Sequence, residues 1–245
     1  MKSINIISLT LLGFGMAVTF SCQKKVETLF PEEKNLNDRA FVKVYLGTVS
    51  ATRNYVYVDG APITGAGLAT GGIFPSTGYA SALTAGARNF IIRDTLATSK
   101  QIPLTFTSTL EAKKNYTIFL YDTITSPKQL TVETPLNLVG KSTAPVRFVN
   151  IIYAKTSVPA VDVFSTAKNA NLFTNVPTGS ATEVISLPTG VTDNIIVRIA
   201  GTTTQLAAFN SMVLQSERAY TLVFRGSYFV TTGTNIKTLS LLTNN

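Results

Sequence analysis

From residue 39 onward the chain alternates apolar and polar positions in short runs. Val42 and Val44 point one way with Lys43 opposite, and Tyr220, Leu222 and Phe224 point one way with Thr221 and Arg225 opposite. That period of two is the mark of a strand with one buried face. The runs are broken by turn residues, as where Val56-Tyr57-Val58 meets Asp59-Gly60. Short strands spaced roughly 8–12 residues apart predict a sandwich or barrel. No stretch beyond residue 38 holds a 3.6-residue period, so helix is expected to be nearly absent.

The pattern is written twice. LEAKKNYTIFLYD, from Leu110, matches LQSERAYTLVFRG, from Leu214, at an offset of 104 residues. The same offset pairs Val42-Lys43-Val44 with Val146-Arg147-Phe148, and a neighbouring one pairs Asn89-Phe90-Ile91-Ile92-Arg93 with Asn194-Ile195-Ile196-Val197-Arg198. Ordered landmarks of this kind indicate a duplicated unit of about 100 residues, the size of one small domain. Tyr116 and Tyr220 each follow a leucine by six residues across a polar turn. The spacing resembles the tyrosine corner of immunoglobulin-like sandwiches, in which the hydroxyl bonds upstream backbone. Two ordinary core tyrosines are the competing reading, and either role is structural. Ser126–Leu138 and Ser227–Leu242 follow the same strand in each repeat and read as closing strands, with the boundary at 139–143. The expected fold is therefore all-β: two tandem immunoglobulin-like antiparallel β-sandwiches, at 39–138 and 144–245, after a signal peptide and a short tether.

Residues 1–21 carry Lys2, an apolar run from Ile4 to Phe20 and a small Ser21, the layout of a secretory signal peptide. Cys22 follows directly and is the single cysteine of the chain. A cysteine in that place resembles the bacterial lipobox, in which the thiol is acylated and becomes the new N-terminus. Ordinary cleavage near Ala17-Val18-Thr19 and an uncleaved anchor helix compete with it. Residues 22–38 are polar and read as a flexible tether, with a reach of roughly 20 Å. Membrane attachment through the lipid is the expected association.

Composition narrows the chemistry. Hydrophobic residues make up 45% and charged residues 14%, enough apolar material for true cores. The chain has no His and one Cys. Ser-His-Asp triads, Cys-His pairs, His- or Cys-ligated metal sites and internal disulfides are thereby excluded. No cofactor is expected. The net charge is +8, from 21 basic and 13 acidic residues. The cations are scattered singly, not clustered as phosphate neutralisation requires, so nucleic acid is not an expected partner.

The second repeat, with Ala144-Pro145-Val146-Arg147-Phe148-Val149-Asn150, Val161-Asp162-Val163-Phe164, Leu187-Pro188-Thr189-Gly190 and Ala219-Tyr220-Thr221-Leu222, resembles the bacterial family called domain of unknown function 4397. The resemblance covers 144–245 and, more loosely, 39–137. It implies secreted lipoproteins of Bacteroidota-type bacteria, an immunoglobulin-like fold, outer-membrane attachment and no catalytic residues. The run Gln23-Lys24-Lys25 stands where surface-exported lipoproteins of such bacteria carry acids, leaving periplasmic and outward facing both open. Asp94-Thr95-Leu96 and Asp122-Thr123-Ile124 resemble the O-glycosylation acceptor of these bacteria, which makes Thr95 and Thr123 candidate modification sites.

Other candidates are weaker. Gly65–Gly72 looks like a phosphate loop, but neither a helix nor a lysine completes it. The acids Asp59, Asp94, Asp122, Asp162 and Asp193 have no calcium-loop spacing, and a carboxylate pair for hydrolysis would have to converge through folding. Tyr45, Tyr55, Tyr57, Tyr79, Tyr153, Tyr228 and Phe229 are candidates for exposed contact, against core or cross-strand roles. The sequence points first to a non-catalytic binding or adhesion module of the cell envelope with a glycan or protein ligand. A structural spacer in an outer-membrane assembly comes second and a carboxylate hydrolase third.

Overall fold

A computed structural model describes residues 35–76, 78–134 and 142–244. The expected signal peptide, Cys22, most of the tether and most of the 139–143 junction lie outside the described residues. Among those described, no helix forms and the chain is built of strands. In the first half these are β1 (Arg39–Leu46), β2 (Asn54–Val58), β3 (Ala61–Pro62), β4 (Ile73–Phe74), β5 (Ser81–Thr84), β6 (Gly86–Asp94), β7 (Leu104–Leu110), β8 (Asn115–Thr123) and β9 (Ser126–Glu133). The second half repeats the order as β10 (Thr143–Asn150), β11 (Val161–Ser165), β12 (Ala170–Val176), β13 (Ser180–Ala181), β14 (Ile185–Pro188), β15 (Thr192–Ile199), β16 (Gln205–Val213), β17 (Tyr220–Arg225) and β18 (Thr238–Thr243).

Each half is a two-sheet sandwich. In the first, β4 and β5 pair one edge of β1, followed by β8 and β9, and the facing sheet runs β3-β2-β6-β7. In the second, β13 and β14 pair β10, followed by β17 and β18, facing β12-β11-β15-β16. The sheets are antiparallel except for β1 with β8 and β10 with β17, which are parallel. The expected all-β sandwiches are found, with these two parallel pairs as the exception. The chain leaves β1, builds the facing sheet and returns on the other side of β1 in the same direction, which alternation within a strand does not reveal.

Even-numbered side chains of β1 and β8 (Val42, Val44, Leu46, Tyr116, Ile118, Leu120) meet Val56, Phe90 and Ile92 of the facing sheet in the first interior. Val146, Phe148, Leu222 and Phe224 meet Val163, Ile195 and Val197 in the second. The opposite faces of these strands were expected in water, and they are not. Tyr45, Phe119 and Val132 pack against Val149, Ile151, Val223 and Leu242 in a third apolar layer between the halves. Strands with both faces buried belong to the middle of a stack, so four sheets and three apolar layers lie one upon another.

The two central sheets run side by side with like ends together. Gly47, just past β1, lies so close to Ile151, just past β10, that a Cβ on it would stand 2.5 Å from the isoleucine Cδ1. At the other end Asn244 links the halves: its Nδ2 donates to Thr221 Oγ1 at 2.8 Å, and its Oδ1 accepts from Thr117 Oγ1 at 3.4 Å. The pairs Tyr45/Val149, Phe119/Val223 and Thr117/Thr221 stand at the repeat offset. The halves therefore meet through equivalent surfaces, as in an isologous dimer joined into one chain. Leu36 enters at the β1 start, so the loops after β1, β8, β10 and β17 crowd the opposite end.

Candidate functional site

At that far end the halves differ. In the first, β8 turns into β9 through Ile124 and Thr125 alone. In the second, residues 226–237 separate β17 from β18, where a strand from Ser227 was expected. The long loop crosses to the first half: Asn235 Nδ2 donates to Ser50 Oγ and its Oδ1 accepts the Ser50 N–H, each at 3.0 Å. It fills the junction on its own side. On the pseudo-symmetric side β8 and β9 are joined by the two-residue turn. A cleft of about 150 Å³ remains between Tyr121, Asp122 and Lys128 of the first half and Tyr153, Thr178 and Gly179 of the second. It adjoins a shallower depression of about 390 Å³ running from Lys155 to Ala160 beside Pro177 and Thr178.

The walls are fixed by backbone bonds. Asn150 is fully buried, and its Nδ2 donates to Val176 O at 3.1 Å while its Oδ1 accepts the Ile152 N–H at 3.3 Å. One side chain thus pins the loops after β10 and β12. Gly179 donates its N–H to Asn150 O at 2.7 Å with φ at +75°, and a Cβ there would stand 3.0 Å from the Tyr121 hydroxyl. Its equivalent, Gly71, donates to Leu46 O at 2.6 Å with φ at +87° and carries the Arg225 guanidinium in the matching place. Glycine meets both demands at once, left-handed backbone and close approach. On the cleft floor Lys128 Nζ lies 2.7 Å from the Asp122 carboxylate, and that bond raises the ammonium above its ordinary range.

Aromatic residues follow β10 and β17 at the same end. Tyr153 donates its N–H to Gly226 O and accepts the Tyr228 N–H, each at 2.8 Å, so its loop is laced to residues 226–237. Tyr228 and Phe229 pack edge to face at 5.1 Å, and Phe229 is 62% exposed. Lys237 lies 5.6 Å from the Tyr228 ring centroid and donates to Tyr228 O at 2.8 Å. Tyr228 packs against the interior of the second half, which leaves Phe229 as the exposed ring of the pair.

The remaining sequence candidates separate. The Tyr116 hydroxyl accepts the Glu111 N–H at 3.1 Å, and the Tyr220 hydroxyl accepts the Gln215 N–H at 3.0 Å. Thr95 is exposed and accepts from Arg53 at 3.2 Å; Thr123 is half-buried with its hydroxyl 3.3 Å from that of Thr125. Of the aromatic candidates, Tyr45 is buried between the halves, Tyr57 lies 4.8 Å beneath the Arg93 guanidinium, and Tyr79 is 69% exposed. Tyr153 lines the cleft, and Tyr228 and Phe229 pair on the loop of residues 226–237. Sequence reasoning missed Tyr121, Lys128 and Asn235, because only the packing of the two halves gives them a common cleft.

The acids hold structure. Asp59 accepts the Asn89 N–H and pairs with Arg88, and these bonds, the backbone one first, lower its pKa. Asp94 accepts the Leu96 N–H and pairs with Arg53, with the same result. Asp162 accepts the N–H groups of Asn175 at 2.8 Å and Gly201 at 2.9 Å. Buried Asp193 accepts from the Ser165 hydroxyl and the Ala167 N–H. Of the cleft and the depression beside it, only the cleft holds a carboxylate, Asp122. Among the described residues no three Asp, Glu, His or Cys side chains gather where a metal could sit, and no helix is long and apolar enough to cross a membrane. Gly65–Gly72 is an interstrand loop, tied to the first sandwich by reciprocal backbone bonds between Leu68 and Asn54 at 2.8 Å.

No protein-family model matches the chain, and no curated protein does. Among solved structures it is similar to CBMbc (family CBM26) from Eubacterium rectale Amy13K, in complex with maltoheptaose. The alignment has 12% identity and a TM-score of 0.24, and covers 84% of this chain and 95% of that one. A superposition this loose bears on neither ligand nor activity. What the strands and the loop end define is a class: an all-β protein of paired sandwiches with a polar cleft at one end.

Proposed function

We propose that the protein is a non-catalytic binding module of the cell envelope, attached to the outer membrane through acylated Cys22, with a glycan as ligand. The observation that carries this reading is the loop end: rigidly tied loops form a cleft with Tyr121, Asp122, Lys128 and Tyr153, and Phe229 is exposed on the loop after β17. Saccharides offer flat C–H faces to such rings and hydroxyls to such polar groups. Acyl chains contribute about 0.8 kcal/mol per buried methylene, enough for firm attachment when one cysteine carries several. The family of domain of unknown function 4397 fits the same picture, on the sequence motifs alone.

The test is a glycan array and an envelope pull-down with the mature protein, followed by Tyr153→Ala and Phe229→Ala. Retention on defined saccharides, lost in the variants at unchanged melting temperature, is the expected result. Capture of one fixed protein neighbour with no saccharide bound would replace this reading with that of a structural spacer. Incorporation of labelled palmitate, abolished by Cys22→Ala, tests the anchor.

A further inference from the structure

We infer that the cleft holds one uncharged pyranose ring by two adjacent hydroxyls; this rests on the glycan reading above and specifies its ligand. The two repeats differ at the residue that matters most. Asp122, near the end of β8, has a left-handed backbone with φ at +71°, and its carbonyl accepts the Val49 N–H at 2.8 Å. The position 104 residues later is Gly226, with φ at +102° and its carbonyl accepting the Tyr153 N–H at 2.8 Å. The bend is the same, and glycine adopts it without steric penalty. The first half keeps an aspartate there, and a side chain held on such a backbone points to a use for it. That side chain lines the cleft, is 15% exposed and meets Lys128 at 2.7 Å.

Charge and size select the ligand. The Asp122 carboxylate and the Lys128 ammonium cancel, and the cleft has no other charged residue in its lining. An acidic sugar would bring a charge that nothing there answers. Hydrogen-bonding capacity is left over, however. Among the described residues the carboxylate meets Lys128 alone, and the hydroxyls of Tyr121, Tyr153 and Thr178 have no hydrogen-bond partner. An ammonium with donors to spare beside a carboxylate with a free oxygen matches two neighbouring hydroxyls. One accepts from Lys128 and the other donates to Asp122. A cavity of about 150 Å³ is the size that takes a single six-membered ring. Half-buried Tyr153 supplies aromatic surface for the C–H face of that ring. Further residues of a chain have the adjoining depression beside Pro177 and Thr178 to lie in.

The experiment titrates the mature protein with the methyl glycosides of glucose, galactose and mannose, followed by NMR shift changes. Their monodeoxy analogues and the matching uronic acids are titrated beside them, and the glycan array is repeated with each variant. At least one neutral glycoside should bind. Removing either of two adjacent hydroxyls should weaken it about tenfold, the worth of one hydrogen bond to a charged group, while removing any other changes little. Asp122→Gly introduces the residue of the second half, so it should lose both the glycoside and array retention at a melting temperature no lower than that of the wild type. Lys128→Met removes the donor and should weaken binding by a similar factor. A uronic acid bound more tightly than its neutral parent overturns the neutral assignment. Retention that survives Asp122→Gly, or an affinity indifferent to which hydroxyl is missing, puts the sugar elsewhere and overturns the cleft assignment. The glycan reading stands in both cases. No saccharide bound here or on the array removes both.

Discussion

The two halves share a strand order, a tyrosine hydroxyl bonded to upstream backbone and a contact face, yet a cleft opens beside Tyr121 and Gly179 where, on the equivalent side, Asn235 bridges to Ser50. The difference lies in one connection. Ile124-Thr125 closes β8 onto β9, whereas residues 226–237 separate β17 from β18 and send Asn235 across to Ser50. A second asymmetry stands at equivalent positions in the layer between the halves, Gly47 in the first and Ile151 in the second. Near-twofold packing thus holds the scaffold together, and departures from twofold symmetry make the site. Duplication gives a rigid frame whose loops can then diverge without cost to the core.

The widest break in this comparison is removal of the shared layer. Phe119 is fully buried there, with its ring centroid 5.7 Å from that of Tyr45. Phe119→Ala should cost about 3–5 kcal/mol, the usual range for a buried phenylalanine. Urea unfolding of the wild type should show one transition, because the halves share an interior. A variant that loses under 1 kcal/mol, or a wild type that melts in two separated steps, would show that the layer does not couple them.

A pH series separates the halves by a different route. Lys43 and Arg147 occupy equivalent positions on the contact face, and burial lowers the pKa of both, Lys43 to about 8. Lys43 donates to Thr243 O at 2.8 Å and is 2% exposed. Below pH 8 the lysine is charged in both the folded and the unfolded chain, so the folded state bears the full penalty of a buried ammonium. Between about 8 and the ordinary lysine value of 10.5 the folded chain has released its proton and the unfolded chain still holds it. Stability should therefore rise with pH through that window, by roughly 2 kcal/mol. Tyr45 opposes this above pH 10, since burial raises its phenol and the unfolded chain ionises first. Arg147 stays charged throughout, so Lys43→Met alone should flatten the rise in a denaturation series from pH 7 to 10. An unchanged slope in that variant would assign it elsewhere.

Gly47→Ala probes the second asymmetry. Its Cβ would meet Ile151 Cδ1 at 2.5 Å and Leu120 O at 3.0 Å. Overpacking of this size costs about 1–2 kcal/mol. Ile151→Val, which frees the crowded methyl, should return part of that in the double variant. Additive losses in the cycle would show that the two residues do not compete for the same space.

How far the sequence carries is visible in particular residues. The 104-residue offset that relates Tyr116 to Tyr220 is readable because local motifs repeat, and local alternation marks Val42, Val44 and Leu222 as core. Alternation also marks Lys43, Thr117 and Thr221 as solvent-facing, and there it misleads. A period of two reports that the faces differ in polarity, and a polar residue buried in a satisfied network looks the same as one in water. The cleft was invisible for a related reason. Tyr121 and Thr178 are far apart in the chain and become neighbours only through packing of whole sheets. Tyr153, Tyr228 and Phe229 could be picked as candidates by type, and only the bonds lacing Tyr153 to Tyr228 distinguish them from Tyr45 and Tyr57.

The smallest expected effect is also the cleanest comparison of the halves. The Tyr116 and Tyr220 hydroxyls take the same bond, from the N–H five residues upstream, at 3.1 and 3.0 Å. Both rings sit in the interior of their own half, 8% and 5% exposed. Phenylalanine keeps the ring and removes the acceptor, leaving the Glu111 or Gln215 N–H without its partner. Each substitution should cost about 1 kcal/mol, the net worth of one such bond. The two positions lie in separate interiors, so the double variant should lose the sum. Equal and additive losses by urea denaturation mean that the hydroxyl bond does the same work in each copy. A marked inequality would place the divergence of the halves in their scaffolds as well as in their loops.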